Sequence, residues 1–129
     1  APRLSPINLK RLEYIKPGGN WTDIPDDLLP KGMQRARKSD HTKRYGRVLP
    51  DGLASTILTK CDPHWGAFFH YEQNRSFTVR EAARLQSFPD HYAFTGNQAE
   101  QFAQVGNAVP PLLAQAVGLS LKSILETEE

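Results

Sequence analysis

Between Gln104 and Gly118 the chain reads QVGNAVPPLLAQAVG. Neither Pro110 nor Pro111 fits a helix interior, where proline lacks the amide hydrogen and clashes with the preceding turn. Either fits the first position of a new helix. The stretch therefore predicts one helix ending near Val105, with Gly106 at the C′ position. A short turn follows, and a second helix restarts at once. That last helix carries a regular apolar stripe of Leu112, Leu113, Ala116, Val117, Leu121, Ile124 and Leu125, with Ser120 on the same face. Gln115, Lys122 and Glu126 face away. A stripe this continuous needs a surface to bury against, and the rest of the chain offers little to cover it.

The segments before it are readable to different degrees. Thr78-Val79-Arg80-Glu81 and Asn97-Gln98-Ala99-Glu100 are capping boxes, in which the first side chain accepts from the backbone of the fourth residue and the fourth reaches back. They predict helices from 78 to about Gln86, stopped by Phe88-Pro89-Asp90, and from 97 to about Val105. Residues 1–30 read as irregular, punctuated by Pro2, Pro6, Pro17, Pro25, Pro30 and the Gly18-Gly19 pair. Residues 7–15 fit a short helix or a short strand. Residues 23–30 fit one helical turn ended by Pro30. After a turn at Pro50-Asp51-Gly52, the β-branched, alternating run 54–59 predicts a strand. GAFFHY (66–71) predicts another, with CDPHWG (61–66) as the intervening loop. The expectation is a lopsided α+β chain, short strands plus three C-terminal helices, with part of its fold supplied from outside.

Composition narrows the classes of function. At 129 residues the chain is about one domain, and 39% hydrophobic against 23% charged residues allows a packed core. No apolar run approaches the roughly 20 residues that span a bilayer, and APRLSPINLK has no apolar core of a signal peptide. A membrane partner is therefore not expected. The single cysteine, Cys61, excludes an internal disulfide and a multi-cysteine zinc site. Both points fit a reducing, cytoplasmic setting. The first residue is Ala rather than Met, which fits a cut boundary or a processed start.

Charge is uneven. Lys31 to Arg47 holds seven Lys/Arg and one acid, a local +6, while the other 112 residues hold nine basic and thirteen acidic groups, or −4. Such a block is the footprint of a polyanion partner, or else a solvated, lysine-rich loop. Cys61, Asp62 and His64 form a superficially catalytic grouping. Three ligands within four residues make poor metal geometry, and nothing orients them as a nucleophile pair, so neither a metal site nor a catalytic residue is assigned.

Two motifs carry a resemblance to a known family. FTVREAARLQSFPDHY (77–92) resembles the ninth motif of cytosine-5 DNA methyltransferases, an Arg-Glu-x-x-Arg-x-x-x-(Phe/Tyr)-Pro-Asp pattern. QVGNAVPPLLAQAVG (104–118) resembles the tenth and last motif, Gln-x-Gly-Asn-x-Val followed by an apolar helix. They occur in the right order and at about the right separation, over roughly the last third of the chain. KRYGRVLPDGLASTILTK (43–60) resembles the back of the target-recognition domain of the bacterial enzymes.

The resemblance implies a fragment of a larger α/β enzyme. Residues 1–76 would be part of a DNA-facing target-recognition domain, and 77–129 the C-terminal helical part of the catalytic domain. Asn107, Ala108 and Val109 would line part of the S-adenosylmethionine seat, with Ala108 standing where the family often has Ser. Arg35, Arg37, Lys38, Lys43, Arg44, Tyr45, Arg47, Thr56 and His64 would face double-stranded DNA, Arg44 and Tyr45 at base-reading positions and Thr56 at a phosphate. Trp65 would enter the groove with His64, or pack on the strand pair. Arg80, Glu81, Arg84 and Gly106 would be structural.

What is absent matters as much. The family's nucleophile is the cysteine of a Pro-Cys dipeptide, and Cys61 follows Lys60. The glycine-rich cofactor loop, the Glu-Asn-Val segment and the arginine-rich eighth motif are not in this sequence. The reaction adds a thiolate to C6 of cytosine and moves a methyl group to C5. This chain alone is expected to be inactive and to need the missing N-terminal half. That half could belong to the same protein, within a restriction–modification system or as an orphan enzyme, or to a separate subunit. A non-catalytic DNA-binding remnant is the third reading.

Replacing Arg35, Arg37 and Lys38 together by Ala should weaken binding to duplex DNA and flatten the log–log salt dependence by up to about 3. Filter-binding titrations across a salt series would measure this, and an unchanged affinity would remove the basic block from the account.

Overall fold

A computed structural model describes residues 1–127. It contains helix α1 (Pro6–Leu12), 3₁₀ turns at Trp21–Asp23 and Asp26–Leu28, and helices α2 (Val79–Leu85), α3 (Gln98–Asn107) and α4 (Pro111–Glu126). The three C-terminal helices are those the capping signals predict. Thr78 and Asn97 accept from the backbone of Glu81 and Glu100, whose carboxylates return the bond. Pro111 opens α4 at its first position. The ambiguous segment 7–15 is helical in its first part, and the turn ended by Pro30 is the second 3₁₀ turn.

The expected strands do not form. Among the described residues, extended pairing is limited to isolated bridges, Arg47 with Phe69 in parallel and Phe69 with Ser76 in antiparallel. GAFFHY thus contributes one bridged residue. Ala54 to Thr59 is irregular, with Leu58 exposed and Leu53 just before it fully so. A strand exists only by pairing, and among the described residues 54–59 forms no β-bridge with another segment. The short stretch that does pair still uses strand alternation. Phe68 turns into one hydrophobic cluster and Phe69 into the other.

Those two clusters are the cores. The first gathers Leu12, Ile15, Trp21, Ile24, Leu29, Met33, Tyr45 and Phe69 from the proline-rich lead and the basic segment. The second gathers Ile57, Cys61, Phe68, Phe77, Ala82, Ala83, Phe102 and Val105, packing α2 on α3. Gly106 is not a C′ residue. It lies inside α3, and a Cβ there would come within 2.5 Å of the Thr59 amide nitrogen and 2.6 Å of the Leu58 carbonyl carbon. Glycine lets the helix backbone rest directly on the backbone of 58–59.

Arg47 joins the first core to the loop that follows Phe69. Its side chain is buried, and its Nε donates to the Ile15 carbonyl at 2.8 Å. Nη1 donates to the carbonyls of His70 (2.7 Å) and Gln73 (3.1 Å). Nη2 donates to the Leu12 carbonyl (2.9 Å) and Asn74 Oδ1 (2.8 Å). Every acceptor is neutral, so carbonyl dipoles alone hold the buried charge, and burial lowers the guanidinium pKa.

Helix α4 has no buried residue, and Leu112, Leu113, Val117, Leu119, Leu121, Ile124 and Leu125 are all more than half exposed. The stretch Gln98–Glu126 reaches a mean hydropathy of 1.4 with none of that window buried. It is broken between α3 and α4, however, and α4 itself has 16 residues, short of the roughly 20 needed to cross a bilayer.

Replacing Arg47 by Met keeps much of its volume but strands several buried carbonyls. It should cost roughly 3 kcal/mol or more of unfolding free energy, read as a lowered urea midpoint. An unshifted midpoint would show that these bonds do not hold the first core.

Candidate nucleic-acid interface and cofactor turn

The basic segment divides into a free part and a structural part. Lys31, Arg35, Arg37, Lys38 and Lys43 are exposed. Arg47 points the other way: all its nitrogens are engaged inside the protein. It has no donor left for a phosphate and leaves the set of DNA-facing residues expected from sequence. Tyr45 also turns inward. It is buried against Phe69, and its hydroxyl meets His64 Nδ1 at 3.4 Å. Burial raises the phenol pKa. Tyr45 is therefore the floor of the surface rather than a base-reading group.

Above that floor stands an aromatic and cationic surface. The His64 ring meets Tyr45 edge to face at 5.7 Å, and Trp65 meets His64 in the same way at 5.0 Å. The Arg44 guanidinium lies 4.9 Å from the centre of the Trp65 ring. Trp65 is 58% exposed, which answers whether it packs inside the fold. The Arg44 side chain makes no hydrogen bond among the described residues, so its guanidinium donors are uncommitted while the indole attracts its charge. His41, Thr42, Lys43, Arg44 and Trp65 line a shallow cleft of about 340 Å³. The loop is held from behind. The Tyr45 amide donates to the Pro63 carbonyl at 2.7 Å, and Trp21 Nε1 donates to the Asp40 carbonyl at 3.3 Å. His41 and Tyr45 both adopt the left-handed backbone conformation, with φ of 52° and 49°, which folds the loop tightly enough to bring Arg44 over Trp65. Thr56 is exposed on the irregular stretch after the turn at 50–52.

Arg80, Glu81 and Arg84, all on α2, make local side-chain contacts. The Arg75 guanidinium grips the Glu81 carboxylate with two bonds of 2.7 Å. The same carboxylate accepts from the Thr78 amide at 2.8 Å. Arg75 first, then Thr78, hold the Glu81 pKa down at about 2 against the opposing effect of burial. Arg84 pairs with Asp90 at 2.8 and 2.9 Å on the surface. Arg80 donates to the Tyr92 carbonyl and lies over the Phe94 ring. Arg75 was not singled out in the sequence. Its signal was a basic residue three positions before the cap, which is common enough to pass unnoticed.

Cys61 is buried, and its thiol donates to the Leu58 carbonyl at 3.4 Å. Burial pushes its pKa up to about 11, so it remains a thiol at neutral pH and is no nucleophile. No group of three or more His, Cys, Asp or Glu able to hold a metal occurs among the described residues.

The turn between α3 and α4 is open. Asn107 and Val109 are exposed, and the Asn107 side chain makes no hydrogen bond among the described residues. The Val109 amide is likewise free, while the Ala108 amide reaches the Val105 carbonyl at 3.4 Å. Two neighbours in the loop after α2 brace this turn, and neither was foreseen from sequence. Gln86 Nε2 donates to the carbonyls of Val105 (3.0 Å) and Ala108 (3.3 Å), and Ser87 Oγ accepts from the Leu112 amide (3.2 Å).

The structure thus carries a cationic, aromatic surface at residues 41–65 and, on the other core, an open turn at the start of α4. Comparison with known proteins makes the class specific. Residues 9–123 match the family described as C-5 cytosine-specific DNA methylase, and the chain belongs to that family. It is 39% identical over 131 residues to Type II methylase M.HgiDII of Herpetosiphon aurantiacus, covering 98% of this chain and 37% of that protein. It is 44% identical over 109 residues to Type II methyltransferase M1.HphI of Haemophilus parahaemolyticus, covering 84% of this chain and 26% of that protein. It is 38% identical over 145 residues to DNA (cytosine-5)-methyltransferase 1A of Oryza sativa subsp. japonica, covering 99% of this chain and 10% of that protein. The chain thus spans between 10% and 37% of these relatives' length.

The Glu81 carboxylate gives a signed pH dependence. A folded pKa of about 2 against an ordinary 4.5 means its stabilisation is fully present above about pH 4.5 and is lost as pH falls towards 2. The urea midpoint of the wild type should fall through that window more steeply than that of Glu81→Gln. Parallel curves would show that the Arg75–Glu81 pair contributes nothing to acid stability.

Proposed function

We propose that this chain is the C-terminal region of a DNA (cytosine-5-)-methyltransferase of the bacterial Type II kind, working in the cytoplasm. The complete enzyme would transfer a methyl group from S-adenosylmethionine to C5 of cytosine at a specific duplex site. Residues 1–76 would be the DNA-facing part of its target-recognition domain. Residues 77–129 would close its catalytic domain. In the complete protein the extended stretch at 54–59 would find a pairing partner, making this the α+β end of a larger α/β fold. The observation that carries the reading is α4, a helix of the catalytic unit that buries none of its residues. Its apolar stripe is the surface onto which the missing part of that unit would pack.

In this reading each exposed group has a task. Arg35, Arg37, Lys38 and Lys43 neutralise phosphates and fix the register on the duplex. Arg44, 4.9 Å from the centre of the Trp65 ring, offers two parallel donors of the kind that fit a guanine edge. His64 stands next to it with Nδ1 at the Tyr45 hydroxyl, and its other ring nitrogen is free for a base or phosphate. Thr56 holds a phosphate near the target nucleotide. At the open turn, Asn107 and the Val109 amide offer donors beside the start of α4, where a carboxylate is favoured. These residues fit one wall of an S-adenosylmethionine site, and Ala108 adds no polar side-chain contact. When bound, S-adenosylmethionine would supply the methyl group. The thiolate and the ring-protonating glutamate must come from the remainder of the enzyme, because Cys61 is buried and protonated.

The α4 surface equally suits a small subunit of a split enzyme. A DNA-binding remnant without a catalytic partner is less well supported, because such a remnant has no use for an open turn followed by an uncovered apolar helix.

The purified chain should bind duplex DNA but transfer no radiolabelled methyl group from S-adenosylmethionine. Joined to, or mixed with, the catalytic part that carries Pro-Cys and the glycine-rich loop, it should restore transfer. Methyl transfer by the chain alone would overturn the proposed division of labour, and failure of every combination would favour the remnant.

A further inference from the structure

We propose that Gln86 and Ser87 are positioning residues for the turn Asn107–Val109, setting S-adenosylmethionine affinity without touching the cofactor. This rests on the reading of that turn as part of the cofactor seat. Each helix flanking the turn has backbone groups without intrahelical partners. At the end of α3, Gln86 Nε2 donates to the Val105 carbonyl, which the Ala108 amide reaches only at 3.4 Å, and to the carbonyl of Ala108 just beyond the helix. The start of α4 exposes amides, and Pro110, at the capping position, has no side chain that can accept from them. Ser87 Oγ supplies the missing cap from a different element by accepting from the Leu112 amide. Two consecutive residues thus clamp both ends of one turn.

The backbone supports an arrangement made for this contact. Ser87 has φ of 61°, in the left-handed region that costs a non-glycine residue about 1 kcal/mol. Its amide donates to the Arg84 carbonyl at 2.9 Å, and the Phe88 amide to the Ala83 carbonyl at 2.9 Å, closing the end of α2. The reversal carries the Ser87 hydroxyl to α4. Since α4 buries no side chain, this bond and the short chain link fix where it starts. On the opposite side, Gly106 presses α3 against the backbone of 58–59. The turn is therefore referenced both to α2 and to the segment that carries Thr56.

The test uses the complete enzyme, with this chain joined to the rest of its catalytic domain. Gln86→Met keeps length and removes the donor. Ser87→Gly relieves the backbone strain and removes the hydroxyl, so both variants should fold. The double variant should raise the KM for S-adenosylmethionine about ten-fold, with kcat at saturating cofactor and the Kd for DNA changed less than two-fold. Ser87→Asn, which tolerates the left-handed conformation and restores an acceptor, should recover most of the Ser87 contribution. Asn107→Ala is the control. If it weakens cofactor binding while the double variant binds like the wild type, the positioning role is wrong and the seat stands. If Asn107→Ala binds like the wild type, the seat reading fails and the positioning role with it. A double variant that loses cofactor affinity, DNA affinity and kcat together would show a general structural role and also overturn the proposal.

Discussion

One buried cation with no counter-ion among the described residues organises the N-terminal half. Arg47 reaches carbonyls on α1, on the segment just after it and on the loop after Phe69, together with one Asn side chain. Those stretches share little regular secondary structure, so the guanidinium replaces the ladder bonds a sheet would have given them. A guanidinium suits the task because its donors lie in one plane and point in fixed directions. Because Arg47 is also bridged to Phe69, the same residue fixes the neighbouring loop. Tyr45, two positions earlier, becomes the buried floor beneath His64, Trp65 and Arg44.

The second core is organised differently. α2 and α3 each start in a capping box, the small residues Ala82 and Ala83 of α2 are fully buried, and α3 rests through Gly106 on the backbone of 58–59. This pair carries the open turn and, beyond it, a helix that buries none of its residues. The cationic surface around Trp65 and the open turn at Asn107 are thus built on separate cores, which meet along Phe68 and Phe69.

Legibility in the sequence followed the range of the interactions. Thr78 with Glu81, Asn97 with Glu100, and Pro111 at the head of α4 are local rules, and the helices they start were readable. The motif spacing made the family readable as well. Arg47 was not distinguishable from the six other cations of its block, because its burial depends on carbonyls more than twenty residues away. Tyr45 was misplaced for the same reason. Gly106 was read as a helix stop, whereas its role is to let α3 touch 58–59, a contact that leaves no local mark. The strands at 54–59 and 66–71 were read from alternation, but alternation states only which way side chains turn. Pairing needs a neighbouring strand, and among the described residues 54–59 forms no β-bridge.

The two tryptophans sit at opposite extremes. Trp21 is 2% exposed in the first core and donates its indole N–H to the chain, while Trp65 is 58% exposed beneath a cation. Their emission is therefore separable by a soluble quencher. The shielded indole reports whether the first core is intact, and the open one reports whether its surface is covered. The protein carries its own pair of optical channels, one for folding and one for occupancy, without any added label.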